Sequence, residues 1–94
     1  MTPTLKGRIT PPDGVMCREI AGESVLLNLN SESYFGLDVV GTRMWAALTA
    51  SPSIEAAYEV LLNEYEVEPE RLRADLSSFI ENLAQAGLIE VSDV

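Results

Sequence analysis

Residues 31–45 read SESYFGLDVVGTRMW, and this stretch predicts a short strand that runs directly into a helix. Within the strand, side chains alternate between the two faces, so Phe35 and Leu37 share one face while Tyr34 and Gly36 share the other. Asp38 suits a helix N-cap, because its carboxylate can accept a hydrogen bond from a free backbone N–H of the first turn. The stretch therefore predicts the junction between a sheet and a helical region.

Two further strands are predicted before this junction. Residues 14–20 form the first and residues 23–29 the second, with a tight turn between them. In the second strand, Val25, Leu27 and Leu29 lie on one side and make that face strongly apolar. Because the connecting loops are short, we expect the three strands to form an antiparallel meander.

Three helices are predicted after the junction. The first has an inner stripe of Val40, Met44 and Leu48 at helical spacing. The third begins at Pro69, where a missing backbone N–H costs nothing, and ends at Gly87. This order predicts an α+β domain, with a three-stranded antiparallel sheet followed by a three-helix winged helix-turn-helix bundle.

Length and composition predict one folded domain. The chain has 94 residues, of which 47% are apolar and 22% charged. Residues 1–13 carry three prolines and are expected to form a flexible N-terminal arm, which leaves residues 14–91 as the domain. With one cysteine and neither a signal peptide nor an apolar run long enough to cross a membrane, we expect a cytoplasmic protein.

The residue types present argue against catalysis. There is no histidine, and Cys17 therefore has no imidazole partner that could activate it as a nucleophile. Gly36 and Gly41 have neither the spacing nor the Lys-Ser/Thr pair of a phosphate-binding loop. We expect no catalytic residue, no metal site and no cofactor.

The charge balance argues against nucleic acid and anionic membranes as partners. Fifteen acidic residues outnumber six basic ones, which gives a net charge of −9. In a winged helix the third helix would read DNA, but here its charged residues sum to −1. These are Glu70, Arg71, Arg73, Asp75 and Glu81. A basic face that could neutralise several phosphates is absent from this helix.

The third strand is a candidate docking site for an extended peptide. Between Tyr34 and Leu37 it carries no proline or charge of the kind that normally protects a free sheet edge. The third helix could supply a second, apolar wall through Leu72, Leu76 and Phe79. The alternative is that these apolar side chains simply form the core, which is the commoner role of such residues.

The segment 34–48, YFGLDVVGTRMWAAL, resembles the signature of the PqqD-like family, the recognition elements of ribosomally made peptide-modification systems. Residues 25–38 and 67–90 match the family in type and order, so the resemblance covers about residues 14–90. It implies the fold described above and a stand-alone adaptor without a fused enzyme domain. The adaptor would bind the leader of a precursor peptide as an added strand on the third strand, against the third helix.

The same resemblance implies partners and site residues. The leader is presented to a modifying enzyme, with a separate leader peptidase of a lasso-peptide system favoured. The implied peptide-binding residues are Tyr34, Phe35, Gly36, Leu37, Asp38, Arg71, Leu72, Asp75, Leu76 and Phe79. Three alternatives remain open: a peptide chaperone for a radical enzyme in quinone-cofactor biosynthesis, a general protein–protein interaction module, and a small transcriptional regulator.

Overall fold

The computed structural model describes residues 7–92, and this range contains five strands and three helices. In chain order they are β1 (Arg8–Thr10), β2 (Val15–Ile20), β3 (Glu23–Asn28), β4 (Ser33–Leu37), α1 (Val39–Ala50), α2 (Ile54–Glu64), α3 (Pro69–Gln85) and β5 (Glu90–Ser92). The predicted order of three strands followed by three helices is confirmed. The fold is α+β.

The main sheet has the strand order β2-β3-β4, and both of its pairings are antiparallel. Ala21 and Gly22 join β2 to β3 with φ values of 56° and 85°. Positive φ at both central residues matches the right-handed twist of the flanking strands, which is why two-residue hairpin turns favour it. In the register, Leu26 lies opposite Phe35 of β4.

The strongly apolar face of β3 points away from the helices. Ser24 and Leu26 face the core and are almost fully buried, whereas Val25 is 36% exposed and Leu29 60% exposed. A small polar residue is tolerated on the inner face because the Ser24 hydroxyl lies 2.7 Å from the Thr42 hydroxyl of α1 and shares a hydrogen bond with it. The count of apolar residues therefore identifies the wrong face of β3 as the buried one.

The helix ends follow the predicted local chemistry. Asp38 Oδ1 accepts a hydrogen bond from Gly41 N at 2.7 Å, and Ser53 Oγ accepts one from Ala56 N at 3.0 Å. Gly87, with φ of 74°, ends α3 and lets Leu88 N donate to the Leu83 carbonyl at 3.0 Å. These interactions satisfy backbone groups that a helix end would otherwise leave unpaired.

The core lies between the inner face of the sheet and the three helices. Its most completely buried large side chains are Leu26, Leu48, Ile54, Leu61, Leu76, Leu83 and Leu88. Met44 and Leu48 are buried as expected, but Val40 is 46% exposed. The first turn of α1 therefore buries Gly41 and Thr42 in place of Val40, and the predicted stripe is buried from Met44 onwards.

A short ribbon joins the two ends of the described chain. β1 pairs antiparallel with β5, with Ile9 opposite Val91, and Ile9 is buried in the core. Gly7 also accepts a hydrogen bond from Ile54 N at 2.9 Å. Residues 8–10 of the predicted flexible arm thus form part of the folded structure, while residues 1–6 lie outside the described range. Within residues 7–92, no helix combines the length and apolarity needed to cross a membrane.

Candidate functional site

An unpaired sheet edge is the first feature of the candidate site. β4 pairs with β3 on one side, and no strand of residues 7–92 lies along its other side. β5 pairs with β1 in a separate sheet and does not lie along β4. Alternate backbone N–H and C=O groups of an edge strand have no sheet partner, so β4 can accept another strand.

The second feature is a cleft of about 330 Å³ between β4 and α3, which we call the β4–α3 cleft. Its lining comes from β4, the first turn of α1 and the C-terminal half of α3. The residues are Phe35, Gly36, Leu37, Asp38, Gly41, Phe79 and Asn82. Phe35 and Phe79 are half-buried and pack against the core, so both rings are held in place while part of each stays accessible.

The junction between β4 and α1 shapes one end of the cleft. Asp38 caps α1 and so directs the chain from the sheet edge into the helix. A side chain at position 41 would be crowded, since a Cβ there would lie 3.3 Å from Asp38 Oδ1 and 3.4 Å from Leu37 Cβ. Gly41 therefore allows the first turn of α1 to pack closely against the end of the strand.

The helix α3 contributes Phe79 and Asn82, which lie one turn apart on the same face. Leu72 and Leu76 occupy the neighbouring stripe and are buried in the core. The structure therefore places these two predicted site residues beneath the surface, where they support α3 and do not line the β4–α3 cleft.

Arg71 and Asp75 lie near the N-terminal end of α3, outside the β4–α3 cleft. Together with Val67 and Glu68 they line a separate recess of about 470 Å³. Arg71 Nε lies 3.7 Å from Asp75 Oδ2 in an exposed pair one helical turn apart, which contributes little to stability. Arg71 and Asp75 are thus separated from the five predicted site residues that line the β4–α3 cleft.

Tyr34 is the remaining predicted site residue, and it lies on the opposite face of the sheet from the cleft. It is 78% exposed and pairs with Leu27 of β3. Its ring is therefore beside the free edge but not within the β4–α3 cleft.

Two residues that line the cleft were not predicted from the sequence. Asn82 follows Phe79 by three residues, so extending the helical spacing from Phe79 would have identified it. Gly41 carries a weaker signal, a small residue in the first turn of a helix directly after the strand. Its role depends on the approach of Leu37 and Asp38, which the spacing alone does not indicate.

Asp38 is the one charged residue among those that line the cleft. The bidentate ion pair between α1 and α2 involves no residue of the cleft. Arg43 of α1 donates two hydrogen bonds to Glu64 of α2, one of them from Nε to Oε2 at 3.2 Å. These hydrogen bonds and the carboxylate charge raise the pKa of Arg43. Within residues 7–92 there is no cluster of three or more His, Cys, Asp or Glu side chains that could hold a metal ion. The cleft is suited to binding by backbone pairing and apolar contact.

Comparison with known proteins identifies a family and two solved structures. The family profile for coenzyme PQQ synthesis protein D (PqqD) matches residues 23–89. The structure of TbiB1 in complex with the TbiA(beta) leader peptide is similar with a TM-score of 0.81 and 36% identity, covering 86% of this chain and 94% of that one.

A second solved structure, lasso peptide synthetase B1 complexed with the leader peptide, is similar with a TM-score of 0.79. Its identity is 20%, and the match covers 88% of this chain and 98% of that one, which supports the shared fold alone. No curated protein matches the chain.

Proposed function

The chain belongs to the PqqD family as a PqqD-like recognition element for ribosomally synthesised and post-translationally modified peptides (RiPPs), and we propose that it binds the leader segment of such a precursor peptide. The leader adds to β4 as a further strand and lies against α3. The observation that carries the proposal is the unpaired edge of β4 directly beside the β4–α3 cleft. The similarity to TbiB1, a structure in complex with a leader peptide, supports it.

The free energy of leader binding can be bounded from the interactions expected in the cleft and along β4. Three or four strand hydrogen bonds contribute about 0.5–1.5 kcal/mol each. Two apolar side chains of the leader, buried against Phe35 and Phe79, add about 1.5–3 kcal/mol each. Ordering a flexible peptide removes roughly 2–5 kcal/mol. The balance reaches micromolar affinity, about 8 kcal/mol, only when most of these interactions contribute near their upper values.

The site residues take different parts in this proposal. Phe35, Leu37 and Phe79 contact leader side chains in the cleft, and Gly36 and Asp38 contact its backbone. Tyr34 meets side chains of the added strand on the outer face. A leader that extends past the cleft towards the N-terminal end of α3 reaches Arg71 and Asp75. Leu72 and Leu76 act indirectly, by holding α3 in position from the core.

The chain acts as a non-catalytic adaptor that presents the leader to a separate enzyme in the cytoplasm. We favour a leader peptidase of a lasso-peptide system, which is what the family resemblance of the sequence implies, and the similarity to TbiB1 supports the leader binding on which this role depends. A peptide chaperone for a radical enzyme in quinone-cofactor biosynthesis is the second candidate, and the family match to a coenzyme PQQ synthesis protein favours it. The type of enzyme encoded by the gene next to that of this protein distinguishes the two candidate pathways.

Titration with synthetic leader peptide tests the proposal. The probe is the leader of the precursor encoded beside this chain, labelled with a fluorophore and followed by anisotropy. Phe79→Ala should weaken binding about 10- to 100-fold, since one apolar anchor is lost.

Ile80→Ala is the matched control for that variant. Ile80 lies next to Phe79 in α3 and is also partly buried against the core, but it does not line the cleft. It should bind the leader within about twofold of the wild-type chain, a difference that corresponds to less than half a kcal/mol. Equal losses in the two variants, or no binding by the wild-type chain, would contradict the proposal.

A further inference from the structure

Phe79 and Asn82 are the residues that α3 contributes to the β4–α3 cleft, and of these two only Asn82 is polar. Asn82 is exposed, although the next residue, Leu83, is fully buried in the core. Its backbone carbonyl accepts a hydrogen bond from Ala86 N at 3.1 Å. Its side-chain amide has no hydrogen-bond partner within residues 7–92.

The stability of α3 does not explain an asparagine at position 82. Asparagine is a weaker helix former than leucine, glutamine or alanine, because its short polar side chain competes with the backbone for hydrogen bonds. It is favoured at helix caps, but the C-cap of α3 is Ala86, and the position with positive φ after it is occupied by Gly87. The amide of Asn82 is therefore a polar group without a structural role in the helix.

β4 and α3 run in opposite directions along the cleft. At the C-terminal end of α3, Asn28 Nδ2 donates to the Gly87 carbonyl at 3.4 Å, and Asn28 pairs with Ser33, the first residue of β4. In the N-terminal half of α3, Asp75 shares a recess with Val40, which lies just beyond the last residue of β4. The later turns of α3 therefore lie beside the start of β4, and the earlier turns lie beside its end.

This arrangement places Asn82 and Asp38 at opposite ends of the cleft, with the apolar side chains of Leu37 and Phe79 between them. The carboxylate of Asp38 can only accept hydrogen bonds, and it already accepts one from Gly41 N. The amide of Asn82 can both donate and accept. The two ends of the cleft therefore differ in the groups that they can bind.

A strand added to β4 covers the cleft and removes water from it. The backbone hydrogen-bonding groups of such a strand lie in the plane of the sheet, so the groups that it directs towards α3 are the side chains on its inner face. An amide that loses its water without gaining a partner weakens binding by about 5- to 150-fold. The leader side chain that covers Asn82 must therefore form a hydrogen bond with it.

An uncharged side chain suits this position best. A carboxylate is disfavoured, because the chain has a net charge of −9 and repels negative groups. An ammonium group only donates, so it would leave the amide N–H groups of Asn82 unpaired, and a charge is costly to remove from water. A hydroxyl or a carboxamide both donates and accepts, as Asn82 does.

We propose that Asn82 is a specificity residue of the leader site, and that it selects a leader with a hydroxyl or carboxamide side chain at the inner-face position that covers it. This inference rests on the proposed function and adds a requirement to it. The polar position is separated by an even number of residues from the apolar position that contacts Phe79, because side chains two residues apart in a strand share a face.

An alanine scan of the leader, titrated against the wild-type chain and Asn82→Leu, tests the inference. Leucine is the better helix former, so Asn82→Leu should fold with an unchanged or higher melting temperature. It should bind the unmodified leader about tenfold more weakly, because the polar leader side chain loses its partner. Asn63→Leu is the matched control, since Asn63 is also an exposed asparagine near the C-terminal end of a helix but does not line the cleft. It should bind within about twofold of the wild-type chain.

Coupling between the two changes identifies the leader residue that contacts Asn82. One polar position should cost the wild-type chain about tenfold in affinity when replaced by alanine and cost Asn82→Leu almost nothing, which is the behaviour of two groups in contact. Leucine at that leader position should restore the affinity of Asn82→Leu but not that of the wild-type chain.

Three results would contradict the inference while the wild-type chain still binds the leader. These are the absence of a coupled polar position, equal losses in Asn82→Leu and Asn63→Leu, and a coupled position at an odd separation from the one that couples to Phe79→Ala. If the wild-type chain binds no leader, the proposed function fails and this inference fails with it.

Discussion

At the scale of single residues, Asp38 combines a structural role with a position in the candidate site. Its carboxylate accepts the hydrogen bond from Gly41 N that starts α1, and the same residue lines the β4–α3 cleft. Asp38→Ala therefore changes both the stability of the fold and the charge of the candidate site. Asparagine separates the two effects, because its amide oxygen can still cap the helix while the negative charge is lost.

Asp38→Ala should lower the free energy of unfolding by about 0.5–2 kcal/mol through loss of the cap, and Asp38→Asn should change it much less. Urea unfolding followed by circular dichroism measures both values. If Asp38→Asn is as unstable as Asp38→Ala, the capping hydrogen bond is not the source of the effect. Leader titration of Asp38→Asn then reports the contribution of the charge alone.

At the scale of elements, the main sheet has two edges with different surroundings. Within residues 7–92, β2 and β4 each pair with β3 only. β4 has α3 beside it and a cleft between them, whereas most of β2 is exposed and β2 contributes no residue to that cleft. An added strand gains backbone hydrogen bonds at either edge, but apolar contact with Phe35 and Phe79 is available only at β4.

Leader binding should slow amide hydrogen exchange in β4 and leave β2 unchanged, because only the amides that gain a strand partner become protected. Hydrogen–deuterium exchange with and without leader peptide measures this, and β2 serves as the internal control. Protection in β2 in place of β4 would move the site to the opposite edge. Equal protection of both strands would indicate a general stabilisation of the sheet.

At the scale of the whole molecule, the ribbon of β1 and β5 makes residues 8–10 part of the fold, although the sequence predicted a flexible arm there. Ile9 is buried in the same core as the helices, and Ile54 N donates to the Gly7 carbonyl. The two ends of the described chain are thereby attached to each other and to the bundle. This leaves β4 as an edge that the chain's own terminal strands do not cover.

Ile9→Ala should destabilise the protein by about 2–5 kcal/mol, the usual cost of removing a buried isoleucine side chain to alanine. Thr10→Ala is the control, because Thr10 is also β-branched and lies in β1 but is exposed. Denaturant midpoints of both variants give the comparison. Similar, small changes in the two variants would mean that β1 does not belong to the cooperative core.

The sequence by itself determined the elements whose causes are local. Asp38, Ser53 and Gly87 mark helix ends because each satisfies backbone groups within a few residues of itself. Five of the residues that the family resemblance implied for the site, Phe35, Gly36, Leu37, Asp38 and Phe79, line the β4–α3 cleft. Alternation along the strand by itself indicated that Phe35 and Leu37 share a face.

The tertiary structure decided what depends on contacts between distant parts of the chain. Ser24 is accommodated on the buried face of β3 by its hydrogen bond with Thr42, and Ile9 is held by the pairing of β1 with β5. Both are contacts between distant segments, which local pattern does not encode. The burial of Leu72 and Leu76, and the exposure of Val40, likewise depend on how the helices pack against the sheet. Apolar pattern indicates which residues avoid water, whereas the neighbour that covers each one is fixed only when the elements assemble.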